Sequence, residues 1–270
     1  MRYRRYFHNM ILVTTTVTVT IIFMAPAAWA QKTSAMMYRQ PEEVSFYDNS
    51  PPVDASDTSN VYGSFMETRF FPVGWSRQGK FAYFTYFDDY DASGMAWLTL
   101  YVFDAKNDTI LVQLSPEKEY WTETPFDTIW RENKKFFSRL LDSFGLIQQK
   151  SMIRLLKFPI VSKHDNRNDT IMWSADTNWV EADSSPYGFP CYDSLAITLS
   201  TSGQSGSGQV IYDKYSDYVA IGFSIPGFIQ DPFDPNVIFI PLVLSHWGWE
   251  GPPHTTSITP IGVALEKEKK

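Results

Sequence analysis

Three stretches decide the fold: Phe81-Ala-Tyr-Phe-Thr-Tyr-Phe87, Trp97-Leu-Thr-Leu-Tyr-Val-Phe103 and Thr109-Ile-Leu-Val-Gln-Leu114. Each is short and rich in aromatic or β-branched residues, which suit a pleated, half-buried surface. Polar segments join them: the acidic loop Asp88 to Gly94, then Asp104-Ala-Lys-Asn-Asp108, whose Asp and Asn favour a tight turn. Upstream, Trp75-Ser-Arg-Gln-Gly-Lys80 reads as a turn in which Gly79 is free to take positive φ. Strand signals run from Val73, and the segment is an antiparallel meander. Phe81 to Phe87 is apolar on both alternating faces, so it belongs in the middle of its sheet.

A helix follows. Thr124 is placed to cap it, Pro125 suits its first position, and Asp127 stands three residues after the cap. Phe126, Ile129, Trp130, Phe137, Leu140, Leu141 and Phe144 recur at three- and four-residue steps, and Gly145 is the stop. Arg131, Lys134, Lys135 and Arg139 lie off this stripe, which leaves the apolar face to pack on the sheet.

Further strands are expected at 170–173, 195–199, 209–212, 218–225, 237–244 and 257–265. Val219, Ile221, Phe223 and Ile225 alternate with Ala220, Gly222 and Ser224, as in a half-buried strand. Residues 202–208 are a Gly/Ser hairpin loop without the context of a phosphate cradle. The order of strands, one long helix and more strands makes the chain α+β, mainly antiparallel, with a meander sheet and the amphipathic helix on one face.

The N-terminus reads as an address. Arg2, Arg4 and Arg5 precede an apolar run from Met10 to Pro26, and Ala28-Trp29-Ala30 ends it. This is the pattern of a signal peptide over residues 1–30, cut after Ala30. The run of about 16 residues falls short of the roughly 20 that span a bilayer, so no membrane span is expected after cleavage. Arg4-Arg5-Tyr6-Phe7 also fits a twin-arginine export signal. Residues 31–61 read as an extended, poorly packed leader, 62–265 as a single β-rich domain and 266–270 as a charged tail.

The 270-residue chain carries a formal charge of −7. Removing residues 1–30 takes three Arg and no acid, leaving 20 basic and 30 acidic residues, net −10. Such a balance argues against nucleic acid and anionic lipid as partners, since both are held by basic side chains.

The block Val73-Gly-Trp-Ser-Arg-Gln-Gly-Lys-Phe-Ala-Tyr-Phe84, with Leu100-Tyr-Val-Phe-Asp104, resembles one blade of a TolB-type β-propeller. Together with the loop Asp91-Ala-Ser-Gly94 and the closing Trp249-Glu250-Gly251-Pro252, it is similar to a family of predicted secreted bacterial proteins of unknown function. The resemblance implies export and a β-rich fold and assigns no mechanism. A full propeller is not expected, because a blade-length repeat does not recur and the helix interrupts it.

No zincin, nucleophile-elbow, dinucleotide or phosphate-loop motif is present. The single cysteine, Cys191, beside Pro190 and Tyr192, reads as small packing material rather than a nucleophile. His246, Glu250 and His254 have zinc-like spacing, but Gly248, Gly251, Pro252 and Pro253 forbid the helix that would align them. Asn107 and Asn168, each in Asn-Asp-Thr, are assigned to turns. Asp89, Asp91 and Ser93, with Gly94, fit the first half of a calcium loop, although Leu100 stands where the bidentate Glu would be needed.

Trp173, Trp179, Tyr187, Phe189, Trp247 and Trp249 are expected in loops or at strand ends, filling gaps or gripping ligand. Trp247, Trp249 and Glu250 form the candidate binding corner, with Gly251 turning the chain and Trp249 packed inward. The resulting expectation is an exported, non-enzymatic binding or structural module of the bacterial cell envelope, periplasmic or secreted. Its partner would be an envelope protein or a glycan, with no resident cofactor beyond that calcium. The alternative is a hydrolase of envelope polymers using Asp89, Asp91 or Glu250 as acid and base, which requires two carboxylates flanking a scissile bond about 5–9 Å apart.

Overall fold

The computed structural model describes residues 38–46, 65–89, 93–149, 152–164, 167–185, 188–202, 209–216, 220–247 and 254–265. The signal-peptide segment, Asp91, Trp249, Glu250 and residues 251–253 lie outside them. Along the chain the strands are β1 (Phe65–Met66), β2 (Arg69–Ser76), β3 (Lys80–Asp89), β4 (Met95–Asp104), β5 (Thr109–Leu114) and β6 (Tyr120–Trp121). Helix α1 (Phe126–Ser143) follows, then β7 (Leu146–Gln148), β8 (Ile160–His164), β9 (Arg167–Val180), β10 (Cys191–Ser202) and β11 (Gln209–Ser216). The last strands are β12 (Gly222–Ser224), β13 (Ile229–Gln230), β14 (Val237–His246) and β15 (His254–Ala264).

These strands make three mainly antiparallel sheets. The six-stranded sheet runs β5-β4-β3-β2-β7 with β6 also on β4, so β2 to β5 form the expected meander and β3 sits inside it. A five-stranded sheet runs β1-β15-β14-β12 with β13 on β14, and a four-stranded sheet runs β11-β10-β9-β8. Only β1 with β15 is parallel among the paired strands described. The protein is α+β with one helix among the described residues, and it is not a propeller.

Three apolar layers hold helix and sheets together. Alternation in β3 sends Ala82, Phe84 and Tyr86 to one face, where they meet Phe126, Ile129, Trp130, Phe137 and Leu141 of α1. Phe71 stacks on Phe126 at 3.9 Å between ring centroids, and Phe84 meets Trp130 and Phe137 edge-on at 5.4 and 4.9 Å. The other face carries Phe70, Trp75, Phe81, Tyr83 and Phe103, which pack on Val237, Phe239 and Ile258 of the five-stranded sheet. Ile238, Ile240, Leu242 and Leu244, the alternate residues of β14, face Leu195, Ile197 and Leu199 of the four-stranded sheet. The order of layers is helix, sheet, sheet, sheet, with β14 buried on both sides.

The helix begins one residue later than its capping pattern predicts. Pro125 is the N-cap, extended at φ −62° and ψ 145°, and no side chain caps it. The Pro125 carbonyl takes the amides of Thr128 and Ile129, while the Thr124 carbonyl accepts the Tyr86 hydroxyl at 2.8 Å. Leu140 and Phe144 are only partly buried, at the rim of the stripe. Gly145 ends the element at φ +66°.

Several expectations are corrected. Trp75, Ser76 and Lys80 belong to strands, and the turn is confined to 77–79, with Gly79 at φ +83°. β2 extends back to Arg69 through Pro72 and Gly74, where a bulge falls. A Cβ on Gly74 would lie 2.2 Å from the Ile147 carbonyl oxygen, so β7 can approach only glycine there. The strand expected at 218–225 shrinks to three residues, Ala220 to Gly222 are all buried, and the predicted alternation is absent. Residues 218 and 219 lie outside the described set. Asn168 stands in β9, opposite Lys163, rather than in a turn. Asn107 is in its turn, donating from Nδ2 to Asp104 at 2.9 Å.

The segment 38–46, expected to be poorly packed, is extended yet anchored. Tyr38 is buried and its hydroxyl donates to the Leu146 carbonyl at 2.5 Å; Val44 is buried and donates its amide to Phe70 at 2.9 Å. Glu43 pairs with Arg69, whose guanidinium lies over the Phe71 and Tyr86 rings.

Candidate functional site

β4 presents Ala96, Leu98, Leu100 and Val102 to the helix-side core and Met95, Trp97, Thr99 and Tyr101 to the opposite face. Near Phe103 that opposite face is covered by the five-stranded sheet. Toward the start of β4 it is uncovered: Trp97 is 49% exposed, and Trp121 on β6 is 72% exposed. Strand register fixes their relation. Phe87 stands opposite Trp97, while Asp89, Met95 and Trp121 form one row across β3, β4 and β6. Directly opposed side chains sit about 5 Å apart and diagonal ones about 7–8 Å apart, so Trp97 and Trp121 stand diagonally on one face, two separate exposed rings that together make an aromatic shelf.

The chain around the shelf is shaped by two departures from the sheet. After β5, residues 115–119 arch away and return at Tyr120, leaving a cavity of about 50 Å³ beside Trp97, lined also by Met95, Ser115, Pro116 and Glu119. Ser115 hydrogen-bonds Thr99 through the two hydroxyls at 3.0 Å, holding the start of the arch. At the other end Gly94 carries the turn beneath Trp121 and accepts the Thr122 amide at 3.0 Å. Lys118 is turned toward the helix, 2.7 Å from Glu132 and over the Tyr120 ring. That lysine, with the Tyr120 hydroxyl, holds the Glu132 carboxyl below its ordinary pKa.

Of the calcium candidates, Asp89 and Ser93 come together as a turn. Asp89 Oδ2 accepts the Ser93 amide at 3.1 Å, its carbonyl accepts the Gly94 amide at 2.9 Å, and Ser93 Oγ accepts the Met95 amide at 3.2 Å. Asp91 is outside the described residues. Among the described residues no three His, Cys, Asp or Glu side chains converge as metal ligands.

At the second corner, Trp247 is partly buried in a run of rings. It stacks on Phe189 at 5.2 Å and 10°, and lies 4.8 Å from the His254 ring. His254 is fully buried, which pushes its imidazole pKa down. His246 Nε2 lies 2.7 Å from Ser257 Oγ. Trp173 is inside β9, and Trp179 is at its end, as expected; Trp179 donates from Nε1 to Glu181 at 3.0 Å and packs edge-on against Tyr192. Trp173 is partly buried against the outer core. Cys191 is buried, 3.7 Å from Ser185 Oγ.

A second cavity, about 60 Å³, lies between the segment 38–46 and β7, lined by Arg39, Glu42, Pro72, Gln148 and Met152 among others. Each of the two cavities carries one carboxylate, Glu42 in one and Glu119 in the other. Neither offers the pair that glycoside hydrolysis uses.

Trp97 and Trp121 are the residues that sequence reasoning missed. Trp97 carried a usable signal, because it shares its strand phase with Thr99, a residue that marks a face open to water. Trp121 carried none, since two residues make no period. No helix among the described residues is long and apolar enough to cross a membrane. Compared with protein-family models, curated proteins and solved structures, the chain finds no match.

Proposed function

We propose that this chain is an exported, non-enzymatic binding module of the bacterial cell envelope, acting in the periplasm or outside the cell. The observation that carries the reading is the Trp97–Trp121 shelf. On the same sheet face Phe70, Trp75, Phe81, Tyr83 and Phe103 are all buried, whereas these two large rings face solvent. Exposed aromatic surface on a rigid sheet is costly to keep in water and is a recurring means of gripping a partner. The signal-peptide pattern over residues 1–30 supports the placement in the envelope.

Two measurements test it. N-terminal sequencing of protein recovered from the envelope fraction is expected to begin at Gln31, and a start at Met1 refutes export. Purified mature protein is expected to co-sediment with isolated envelope fractions. The double substitution Trp97→Ala/Trp121→Ala should abolish that without changing the melting temperature. Undiminished co-sedimentation removes the shelf as the binding surface.

A further inference from the structure

Resting on that reading, we infer that the shelf takes a cationic ligand: a lysine- or arginine-bearing segment of a partner polypeptide, with its charged groups over the Trp97 and Trp121 rings. The charges around the rings carry the argument. Asp89 ends the row that contains Trp121, Glu119 lines the cavity beside Trp97, and Glu117 and Glu123 are exposed on the arch and on the turn that follow β5 and β6. The cation on this rim, Lys118, is matched by Glu132 of α1. The surroundings of the two rings are therefore net negative, in a chain that is itself acidic.

An indole face attracts a cation through its quadrupole, and neighbouring carboxylates add to the same attraction. Anionic segments meet four carboxylates and are repelled. An extended cationic segment matches both parts of the site at once, its alkyl stems lying on the rings while its charged ends reach the carboxylates. The flat, strand-built platform presents both rings on a rigid support, so little order has to be created on binding.

The probe is a capped hexalysine peptide titrated calorimetrically into the mature chain, beside capped hexaglutamate and neutral chitohexaose. Saturable hexalysine binding is expected, with none for hexaglutamate, and it should weaken steeply on raising salt to about 0.3 M. Trp97→Ala/Trp121→Ala should weaken it roughly tenfold, and Asp89→Asn/Glu119→Gln by a similar factor, with unchanged melting temperatures. Absence of hexalysine binding, or binding indifferent to the Trp substitutions, overturns the inference. Chitohexaose binding that depends on the two Trp while hexalysine does not bind would overturn the cationic ligand and leave the binding module standing. Envelope co-sedimentation and every probe remaining insensitive to the Trp substitutions would overturn both.

Discussion

The Gly262 amide donates to Asp108 Oδ1 at 2.8 Å across 154 residues of chain. This joins β15 to the turn between β4 and β5, two different sheets. Asp108 adopts φ +49°, and the contact is so close that a Cβ on Gly262 would lie 2.5 Å from the Ala105 carbonyl oxygen. Asp108→Ala leaves a buried amide without its acceptor and is expected to cost about 1–3 kcal/mol. Gly262→Ala forces backbone apart, at about 1–3 kcal/mol or more. Asp108→Asn keeps an acceptor and tolerates the positive φ, so it should be the mildest of the three. Urea midpoints for the three variants check the ranking.

Phe84 and Trp121 separate packing from exposure. Phe84 touches Trp130, Phe137 and Phe126 between sheet and helix with no solvent exposure. Phe84→Ala should cost about 3–5 kcal/mol. Trp121→Ala should stay within about 0.5 kcal/mol of the parent, as surface changes do. A large loss of stability from Trp121→Ala, measured by thermal denaturation, would show that the ring packs rather than presents itself.

Tyr38 predicts where the folded chain can be trimmed. Its ring is buried against the helix-side core and its hydroxyl reaches the Leu146 carbonyl; burial, with Asp142 nearby, raises the phenol pKa strongly. Tyr38→Ala is expected to destabilise by about 3 kcal/mol or more, and Tyr38→Phe by about 1 kcal/mol. Proteolysis that removes residues through 46 should lower the melting temperature.

Asp231 predicts an unusual pH response. It is buried at the β13–β14 connection, where Oδ1 accepts the Phe233 amide at 2.8 Å and Oδ2 is buried without a partner. Burial raises its carboxyl pKa above 3.8, the Phe233 and Asp234 amides oppose this, Asp234 adds to it and Lys106 opposes it. Because the folded state binds this proton more tightly than the unfolded state, the group opposes folding when ionised. That penalty is present at neutral pH and is relieved as pH falls through the raised folded pKa toward the unfolded value. Asp231→Asn should therefore gain stability over the parent at pH 7, with the gap closing toward about pH 4. A gap that widens on acidification would reverse the assignment.

The parts of the fold legible in the sequence are those where period and punctuation agree. Phe81 to Leu114 alternates between turns of Asp, Asn and Gly, and all three strands lie where that pattern puts them. The stripe on α1 is legible for the same reason. β9 runs well past the expected 170–173, because Ser174, Asp176 and Asn178, types usual in loops, are exposed positions of a long strand that pairs with both β8 and β10. β2 was concealed by Pro72 and Gly74, which signal a break and instead sit at a bulge. The shelf was concealed by topology, since Trp97 is exposed only because the second sheet stops short of it. Nothing local in the sequence encodes how far a neighbouring sheet extends.

The position of β14 governs the order in which the molecule can be completed. The strand that fills both inter-sheet cores comes from residues 237–246, and its partner β15 from 254–264, at the far end of a 270-residue chain. As synthesis proceeds from the N-terminus, the first meander can form early and cover one side with α1. Its other side, the wall of Phe70, Trp75, Phe81 and Tyr83, has Val44, Phe46 and Ile153 from earlier in the chain against it, but is completed only when Val237, Phe239 and Ile258 emerge. A nascent chain of this design carries an incompletely covered aromatic wall for most of its elongation. Truncation anywhere before residue 237 should yield not a smaller folded protein but a sticky one.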